Sequence, residues 1–339
     1  MTQAVLVAGG AGYIGSNVCK TLAASGYTPV TLDNLCTGRR DFVQFGPFVE
    51  AAVSDTQAVK ATVKEYGIES VIDLAGSIEV AESVANPLKY YDNNLAVKIG
   101  FLKALQEGGV KAFVFSSTAA VYGEPVTVPI PENHQLLPKN PYGWSKMIFE
   151  QVLRDFNHAG GMNFMALRYF NAAGASLDGD IGECHEPESH LIPRACFAAL
   201  GTTPGLEIYG NDYPTPDGTA LRDYIHVLDL ASAHVLAVDS LLKGAASASY
   251  NLGNGTGTSI GEVLAAFEQL GYKVPHVFKP RRVGDPARLI ADSSAARQNL
   301  GWAPEYAEVK TIISSALNWH KKVLLGLIDK DCHEGFTDS

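Results

Sequence analysis

Near its amino terminus the sequence reads Ala4-Val5-Leu6-Val7-Ala8-Gly9-Gly10-Ala11-Gly12-Tyr13-Ile14-Gly15. The apolar run predicts a buried strand, and the glycines follow it where the strand passes into a helix. Tight turns also use glycine, but glycine in this context lets the backbone approach a pyrophosphate held by helix N–H groups. The stretch therefore predicts a dinucleotide site containing Gly9, Gly12 and Gly15.

Short apolar runs alternate with helical patterns over the first half of the chain. Such alternation predicts an α/β fold, a Rossmann-type doubly wound parallel sheet, with a smaller C-terminal α/β substrate-binding region. We expect a nucleotide-binding domain over residues 1–175 and a substrate region over 176–339, with a strand near 222–227 that rejoins the first domain. The predicted strands are 4–8, 29–32, 71–74, 112–115 and 163–169, and the predicted helices are 15–24, 55–66, 88–106 and one that opens at Asn140-Pro141.

Composition narrows the class of protein. The net charge is -10 and no basic cluster stands out, which argues against a nucleic-acid partner. No apolar stretch is long enough to span a membrane, and the start of the chain lacks a basic leader, so we expect a cytoplasmic protein. The five cysteines are widely spaced, and the expectation is reduced thiols without a disulfide framework.

Asp33 lies at the end of the second predicted strand, about twenty residues past the glycines. A carboxylate there can accept hydrogen bonds from the adenosine ribose hydroxyls, which favours NAD as cofactor. Arg39 and Arg40 keep NADP as an alternative cofactor. The alternative reading of Asp33-Asn34 is an ordinary turn at the end of the strand, with no role in cofactor binding.

Tyr142 and Lys146 are one helical turn apart and predict a catalytic pair. A tyrosine with an ordinary pKa is a poor base, and a lysine ammonium beside it favours the phenolate. Tyr-x-x-x-Lys is common by chance, but Thr118 ends a strand where open α/β sheets bind ligands and can hydrogen-bond the reacting oxygen. The order of glycine turn, hydroxyl and tyrosine predicts a nicotinamide-linked redox enzyme.

Cys184-His185-Glu186 and His190 resemble metal ligands, yet their spacing is not that of a zinc helix and Pro187 would break such a helix. We therefore predict no metal site.

Several motifs together resemble the extended short-chain dehydrogenase/reductases, and most closely the UDP-glucose 4-epimerase family, over nearly the whole chain. Their carriers are the glycine turn, Leu32 to Cys36, Glu82-Ser83-Val84, Tyr90 to Asn94, Val121-Tyr122-Gly123, Tyr142 to Lys146, Arg168 to Asn171, Gly210 to Pro214 and Arg222 to Val227.

The resemblance implies an isomerase of galactose metabolism that interconverts UDP-glucose and UDP-galactose by inversion at C4. It also implies a transient 4-keto sugar, tightly bound NAD and a homodimer. The implied cofactor-binding residues, besides the glycines and Asp33, are Tyr13, Ile14, Asn34, Leu35, Cys36, Thr37, Gly38, Leu74, Ala75, Gly76, Asn93, Thr118, Tyr142, Lys146 and Phe170. The implied substrate-binding residues are Thr118, Tyr142, Asn171, His190, Leu191, Glu207, Ile208, Tyr209, Arg222, Arg282, Asp285 and Leu289.

Three cofactor-side positions depart from the family pattern. Asp73 stands where relatives usually carry His, Ile78 where they usually carry Lys near the NAD phosphates, and Ala52 where they usually carry an adenine-binding Asp. We therefore predict weaker NAD retention than is typical of the family.

Other functions stay open. A UDP-xylose/UDP-arabinose 4-epimerase would use the same machinery, and so would a sugar-nucleotide dehydratase or decarboxylase. The dehydratase needs a further acid after Thr118, where Ala119-Ala120 stand instead. A non-enzymatic NAD sensor is the alternative from another class, and intact Tyr142 and Lys146 argue against it.

Overall fold

The protein is described by a computed structural model that covers residues 2–282 and 285–327. Val283, Gly284 and Cys332 lie outside the described residues. The strands are β1 (Ala4–Ala8), β2 (Thr28–Asp33), β3 (Phe48–Glu50), β4 (Ser70–Asp73), β5 (Ala112–Thr118), β6 (Asn163–Tyr169), β7 (Asn171–Ala173), β8 (Leu206–Tyr209), β9 (Leu221–Arg222), β10 (Tyr224–His226), β11 (Ala248–Leu252), β12 (Thr258–Ser259), β13 (His276–Lys279) and β14 (Arg288–Leu289).

Helices connect most of these strands. They are α1 (Tyr13–Ala24), α2 (Thr56–Tyr66), α3 (Val80–Ala85), α4 (Pro87–Tyr91), α5 (Val97–Glu107), α6 (Pro141–His158), α7 (Leu191–Leu200), α8 (Val227–Leu242), α9 (Ile260–Gln269), α10 (Ser294–Leu300) and α11 (Val309–Leu324). None of the described helices is both long and apolar enough to cross a membrane.

Seven strands form one parallel sheet in the order β11-β6-β5-β4-β1-β2-β3. Both faces are covered because successive side chains of a strand point to opposite sides. Val5 and Val7 pack with α1 and α8, whereas Leu6 and Ala8 pack with α2, α5 and α6. The predicted doubly wound fold is confirmed, and the sheet order reverses at β1, so the strands on either side leave a crevice at their carboxyl ends.

The predicted 88–106 helix is three pieces. A π-helical turn, Asp92–Ala96, separates α4 from α5. Such a turn inserts an extra residue per turn and shifts the side chains that follow it around the axis. Asn94 is buried as a result, while Asn93 stays exposed.

The C-terminal half contributes to both parts of the molecule. The last strand of the central sheet is β11, which pairs with β6. The strand expected near 222–227 does not enter that sheet: β10 pairs with β7, and β9 pairs with β12 and β14. A second apolar core, built on α7, α9 and α11, supports these short strands.

The cysteines differ partly from the expectation. Cys19, Cys36 and Cys196 are free thiols. Cys184 is disulfide-bonded, so the expectation that no disulfide forms is wrong at this position. Spacing along the sequence carried no sign of it.

Candidate active site

Helix α6 begins immediately before the predicted catalytic tyrosine. Asn140 caps it, because its side-chain oxygen accepts a hydrogen bond from Gly143 N at 2.8 Å, and Pro141 occupies the first helical position. This start fixes Tyr142 and Lys146 on one face of the first turns. That face lies against the carboxyl end of β5, which ends at Thr118.

Tyr142, Lys146 and Thr118 come together there as predicted. The ammonium nitrogen of Lys146 is 5.9 Å from the centre of the Tyr142 ring and donates a hydrogen bond to Ser116 O at 2.8 Å. Burial raises the pKa of Tyr142, while a hydrogen bond with Thr118 opposes the rise and nearby Glu79 adds to it. The tyrosine of the ligand-free chain is therefore a neutral phenol that needs added positive charge to act as a base.

A second buried lysine lies behind the first. The ammonium of Lys98 contacts Asp73 Oδ1 at 2.5 Å and Ala75 O at 2.7 Å, and both side chains are almost completely buried. Burial, and after it the charge of Lys98, lower the pKa of Lys146 to about 7, while Asp73 opposes the shift. Asp73, one of the three departures from the family pattern, is thus half of a buried ion pair with Lys98 that the sequence did not reveal.

The glycine turn has the shape that a pyrophosphate requires. Gly9 has φ +79°, and a Cβ there would lie 2.7 Å from Ala75 N, while a Cβ on Gly15 would collide with the Gly9 carbonyl. Gly12 precedes α1, which has no side-chain cap and no acidic residue in its first turn. The N–H groups of the first turn of α1 fit an anion of a dinucleotide.

Asp33 organises the neighbouring loop as well as facing the crevice. Its two oxygens accept hydrogen bonds from Ala11 N at 3.0 Å and Leu35 N at 2.9 Å, and a Cβ on Gly38 would lie 2.8 Å from its Oδ1. Leu35 adopts a positive φ of 56° to make this turn. Asn34, Cys36 and Thr37 continue the same loop, and Tyr13 and Ile14 open α1 beside it.

The loop after β4 forms the opposite wall. A Cβ on Gly76 would lie 2.9 Å from Asn94 Oδ1 and 3.8 Å from the Lys146 nitrogen. Asn94 accepts a hydrogen bond from Ser77 N at 2.8 Å, and Asn93 donates one to the Ser77 hydroxyl at 3.0 Å. The π-helical turn therefore holds the loop Leu74-Ala75-Gly76 against Lys146.

Residues predicted to bind substrate form two clusters of charge. The guanidinium of Arg282 stacks 3.9 Å from the Tyr209 ring centre, and Arg222 pairs with Asp285. Tyr209 donates a hydrogen bond to Glu207 at 2.7 Å. Ile208 is a difference from the prediction, because its side chain is buried in the second core and only its backbone can reach a ligand.

Leu289 connects these residues to the group around Tyr142, because it pairs with Arg222 between β14 and β9. Phe170 and Leu289 pack in one apolar cluster with Ala119, next to Thr118. Asn171 follows Phe170, and its buried side-chain oxygen has no hydrogen-bond partner in the described part of the chain. An unpaired buried amide is costly unless a ligand satisfies it, so Asn171 marks a polar contact that a substrate can complete.

The loop between residues 182 and 190 holds a cluster that sequence spacing did not predict. Glu183, His185, Glu188 and His190 bring one ligand atom each within 4.8 Å of one another. Burial works against the His185 imidazolium, but the neighbouring carboxylates of Glu183 and Glu188 outweigh it and raise the pKa of His185 to about 9. The rejected metal motif assumed a helix, whereas here a loop gathers the side chains.

Glu79 is a further residue missed from the sequence. Its carboxylate accepts a hydrogen bond from the Ser189 hydroxyl at 2.8 Å, which ties the loop after β4 to the start of α7. No short motif signals such a contact, because it joins residues 110 positions apart.

A family model described as NAD dependent epimerase/dehydratase family matches residues 5–253. The chain belongs to this family. The resemblance inferred from the motifs is thereby confirmed, and the glycine turn, Tyr142 and Lys146 all fall within the matched part.

Relatives within the NAD dependent epimerase/dehydratase family are similar over nearly the whole chain. A UDP-glucose 4-epimerase from Rhizobium leguminosarum bv. trifolii is 48% identical over 94% of this chain and 98% of its own. The crystal structure of UDP-glucose 4-epimerase from Brucella ovis in complex with NAD is 47% identical, with a TM-score of 0.91 over 93% of this chain and 98% of that one. A UDP-glucose-4-epimerase from Stenotrophomonas maltophila, with bound NAD and formylated UDP-arabinopyranose, is 38% identical with a TM-score of 0.93 over 96% and 99%.

Proposed function

We propose that this chain is an NAD-dependent UDP-sugar 4-epimerase that interconverts UDP-glucose and UDP-galactose through a transient 4-keto sugar. The observation that carries the proposal is the placement of Tyr142 beside Thr118 and Lys146, at the carboxyl end of β5 and across the crevice from the glycine turn. Relatives named UDP-glucose 4-epimerase, and their structures with NAD, support it.

The chain's own residues divide the work. The glycine turn and α1 hold the diphosphate of the cofactor, and Asp33 receives its ribose hydroxyls. Bound NAD supplies a two-electron acceptor, and then donor, for C4 of the sugar. Tyr142 takes the proton of the 4-hydroxyl and returns it to the C4 oxygen after the 4-keto sugar has turned its other face to the cofactor, and the Lys146 ammonium stabilises the phenolate between these steps.

UDP is held away from the reacting carbon. Arg222 and Arg282 offer planar forks for diphosphate oxygens, and Asn171, His190 and Leu191 are the further residues that the family resemblance implies for UDP. Tight contacts at the nucleotide and few at the sugar allow the keto sugar to turn over before reduction. We propose that residues 1–175 supply mainly the NAD contacts and 176–339 mainly the UDP-sugar contacts.

Substitution of the base tests the proposal. We expect Tyr142→Phe to lower kcat by about 10²–10⁴-fold, because it removes the proton-transfer group and little volume. Proton NMR of UDP-glucose incubated with protein and NAD measures the product. Tyr66→Phe, on the outer end of α2, is the matched control; unchanged activity in Tyr142→Phe would refute the assignment of the base.

Substrate choice depends on the room beside the sugar. Leu289 packs against the Phe170 cluster, and its bulk opposes an N-acetyl group. UDP-pentose epimerisation is the second candidate, favoured by the UDP-arabinopyranose derivative bound to the Stenotrophomonas relative. Parallel NMR assays with UDP-glucose, UDP-N-acetylglucosamine and UDP-xylose distinguish them; faster turnover of UDP-xylose would select the pentose function.

We also propose a cytoplasmic homodimer that serves galactose metabolism. Val84, Leu88 and Ile99 are exposed apolar side chains on α3, α4 and α5, next to the helix that carries Tyr142. Light scattering after gel filtration measures the oligomeric state, and charged substitution of Leu88 is expected to yield monomers. Cell fractionation tests the location.

A further inference from the structure

The loop 182–190 encloses two buried carboxylates. The side chains of Glu183 and Glu188 are 4% and 1% exposed. Their ion-pair partners among the described residues are His185 and His190. Buried carboxylates need nearby positive charge, which either two imidazolium groups or one divalent cation would supply.

The donor atoms converge on one point. His190 Nδ1 lies 2.8 Å from Glu183 Oε1 and 3.1 Å from Glu188 Oε1, and His185 Nδ1 lies 3.3 Å and 3.8 Å from oxygens of the same two residues. Ligands of a tetrahedral zinc ion, at its usual bond lengths, are about 3.4 Å apart. The four nitrogen-to-oxygen distances lie on both sides of that value, and one ligand atom from each residue lies within 4.8 Å of the others.

Three of the donor atoms lack a hydrogen bond. Glu183 Oε2, Glu188 Oε2 and His185 Nδ1 are buried, and none has a hydrogen-bond partner in the described part of the chain. A purely hydrogen-bonded cluster would leave these atoms unsatisfied. A cation between them would neutralise both carboxylates and use the free atoms.

We propose that Glu183, His185, Glu188 and His190 form a binding site for one divalent transition-metal ion of the Zn²⁺ type. Two imidazoles and two carboxylates suit zinc better than magnesium or calcium, which prefer oxygen donors alone. The site is structural, because all four tetrahedral positions are filled by the protein. It ties the two ends of the loop 182–190 together just before α7 begins.

The loop is positioned for this role by its surroundings. Trp319 donates a hydrogen bond to Glu183 O at 3.0 Å, and a Cβ on Gly182 would collide with the Trp319 ring. The His185 ring meets Tyr13 edge to face, with centres 6.4 Å apart. The ligands therefore rest on α11 and α1 and need little rearrangement to bind an ion.

Metal analysis of the full-length, tag-free chain tests the site. After chelator treatment and gel filtration, the chain is titrated with Zn²⁺, and with Co²⁺ as a spectroscopic probe. We expect one retained equivalent of zinc, a higher Tm, and visible Co²⁺ bands of a tetrahedral nitrogen and oxygen site. A thiolate charge-transfer band would assign the ion to cysteine and overturn the proposal.

Variants identify the ligands. Glu183→Gln and His185→Gln should each weaken zinc binding by about 10–100-fold or more, whereas His158→Gln, exposed at the end of α6, should not. Circular dichroism checks that each variant is folded. Absence of zinc retention in the wild-type chain, or equal retention in the Glu183 and His185 variants, would show instead that two imidazolium groups balance the carboxylates.

Discussion

The buried ion pair of Lys98 and Asp73 lies beside Lys146, the residue proposed to support the base. Lys98 and Asp73 are each 1% exposed, so removing one partner leaves an uncompensated buried charge. We expect Lys98→Met to lower the free energy of unfolding by about 3–5 kcal/mol. Urea unfolding measures it.

The double substitution provides the control. Lys98→Met with Asp73→Leu removes both charges and keeps apolar volume, so it should recover most of the lost stability. A double variant as unstable as Lys98→Met would show that the two side chains stabilise the fold by their packing and not by neutralising each other's charge.

A second prediction for a single residue concerns Ile78. Its side chain is 40% exposed on the loop that follows β4, where a lysine would have room to reach a cofactor phosphate. We expect substoichiometric NAD after dialysis of the wild-type protein, and fuller retention in Ile78→Lys, since a charge-assisted hydrogen bond contributes about 1.5–3 kcal/mol.

Chromatography of the cofactor released by denaturation measures this retention. Ile78→Met, which lengthens the side chain without charge, is the control. Stoichiometric NAD in the dialysed wild-type protein would contradict the prediction.

Individual site residues differed in how well the sequence predicted them. Gly9, Asp33 and Tyr142 lie at the predicted turn, strand end and helix start, because these three features are local patterns. Lys98 was missed because nothing in an amphipathic helix distinguishes a buried lysine from an exposed one. The metal candidates were dismissed because their spacing and Pro187 do not fit a zinc-binding helix. That rule does not cover ligands gathered by a loop.

At the scale of elements, helix α8 begins with an unusual cap. His226 Nδ1 accepts a hydrogen bond from Leu228 N at 3.1 Å, which requires that nitrogen to be unprotonated. Burial lowers the pKa of His226 to about 4. The folded chain therefore keeps the ring neutral where the unfolded chain, with a pKa near 6.5, takes up a proton.

The stability of the protein therefore depends on pH through His226. Between about pH 6.5 and 4 the unfolded state binds more protons, so stability falls as pH is lowered, by about 3 kcal/mol from this group. His226→Asn keeps an acceptor for the helix start and removes the titration, so its stability should fall less over that range. Denaturant midpoints measured from pH 7 to 4.5 test this, with His158→Asn as control; parallel curves for wild type and His226→Asn would contradict it.

Element types were predictable where the apolar period was regular. Strands β1 and β6 match their predicted bounds, and α6 starts at the predicted Pro141. The π-helical turn was not predictable, because its cause is a tertiary contact, the hydrogen bonds of Asn94 to the Ser77 backbone. That contact fixes the position of the loop after β4.

At the scale of the whole molecule, both halves of the chain contribute strands to the central sheet. The chain leaves the central sheet after β6, builds α7 and the short strands β7 to β10, and returns to contribute α8 and β11. Strand β11 escaped prediction because Ala248-Ser249-Tyr250-Asn251-Leu252 has no β-branched residue and little alternation. Its place is set by pairing with β6, which no local pattern encodes.

The pairing of β11 with β6 makes the first half a poor independent fragment. Without residues 248–252, the outer side of β6 presents unpaired N–H and C=O groups from Met165 to Tyr169. An exposed apolar edge of this kind recruits other chains. We expect a 1–175 fragment to aggregate and a 1–253 fragment to be more soluble, as gel filtration would measure; equal solubility would contradict this. Anyone dividing this gene at residue 175 would therefore create an aggregation-prone template rather than a cofactor-binding module.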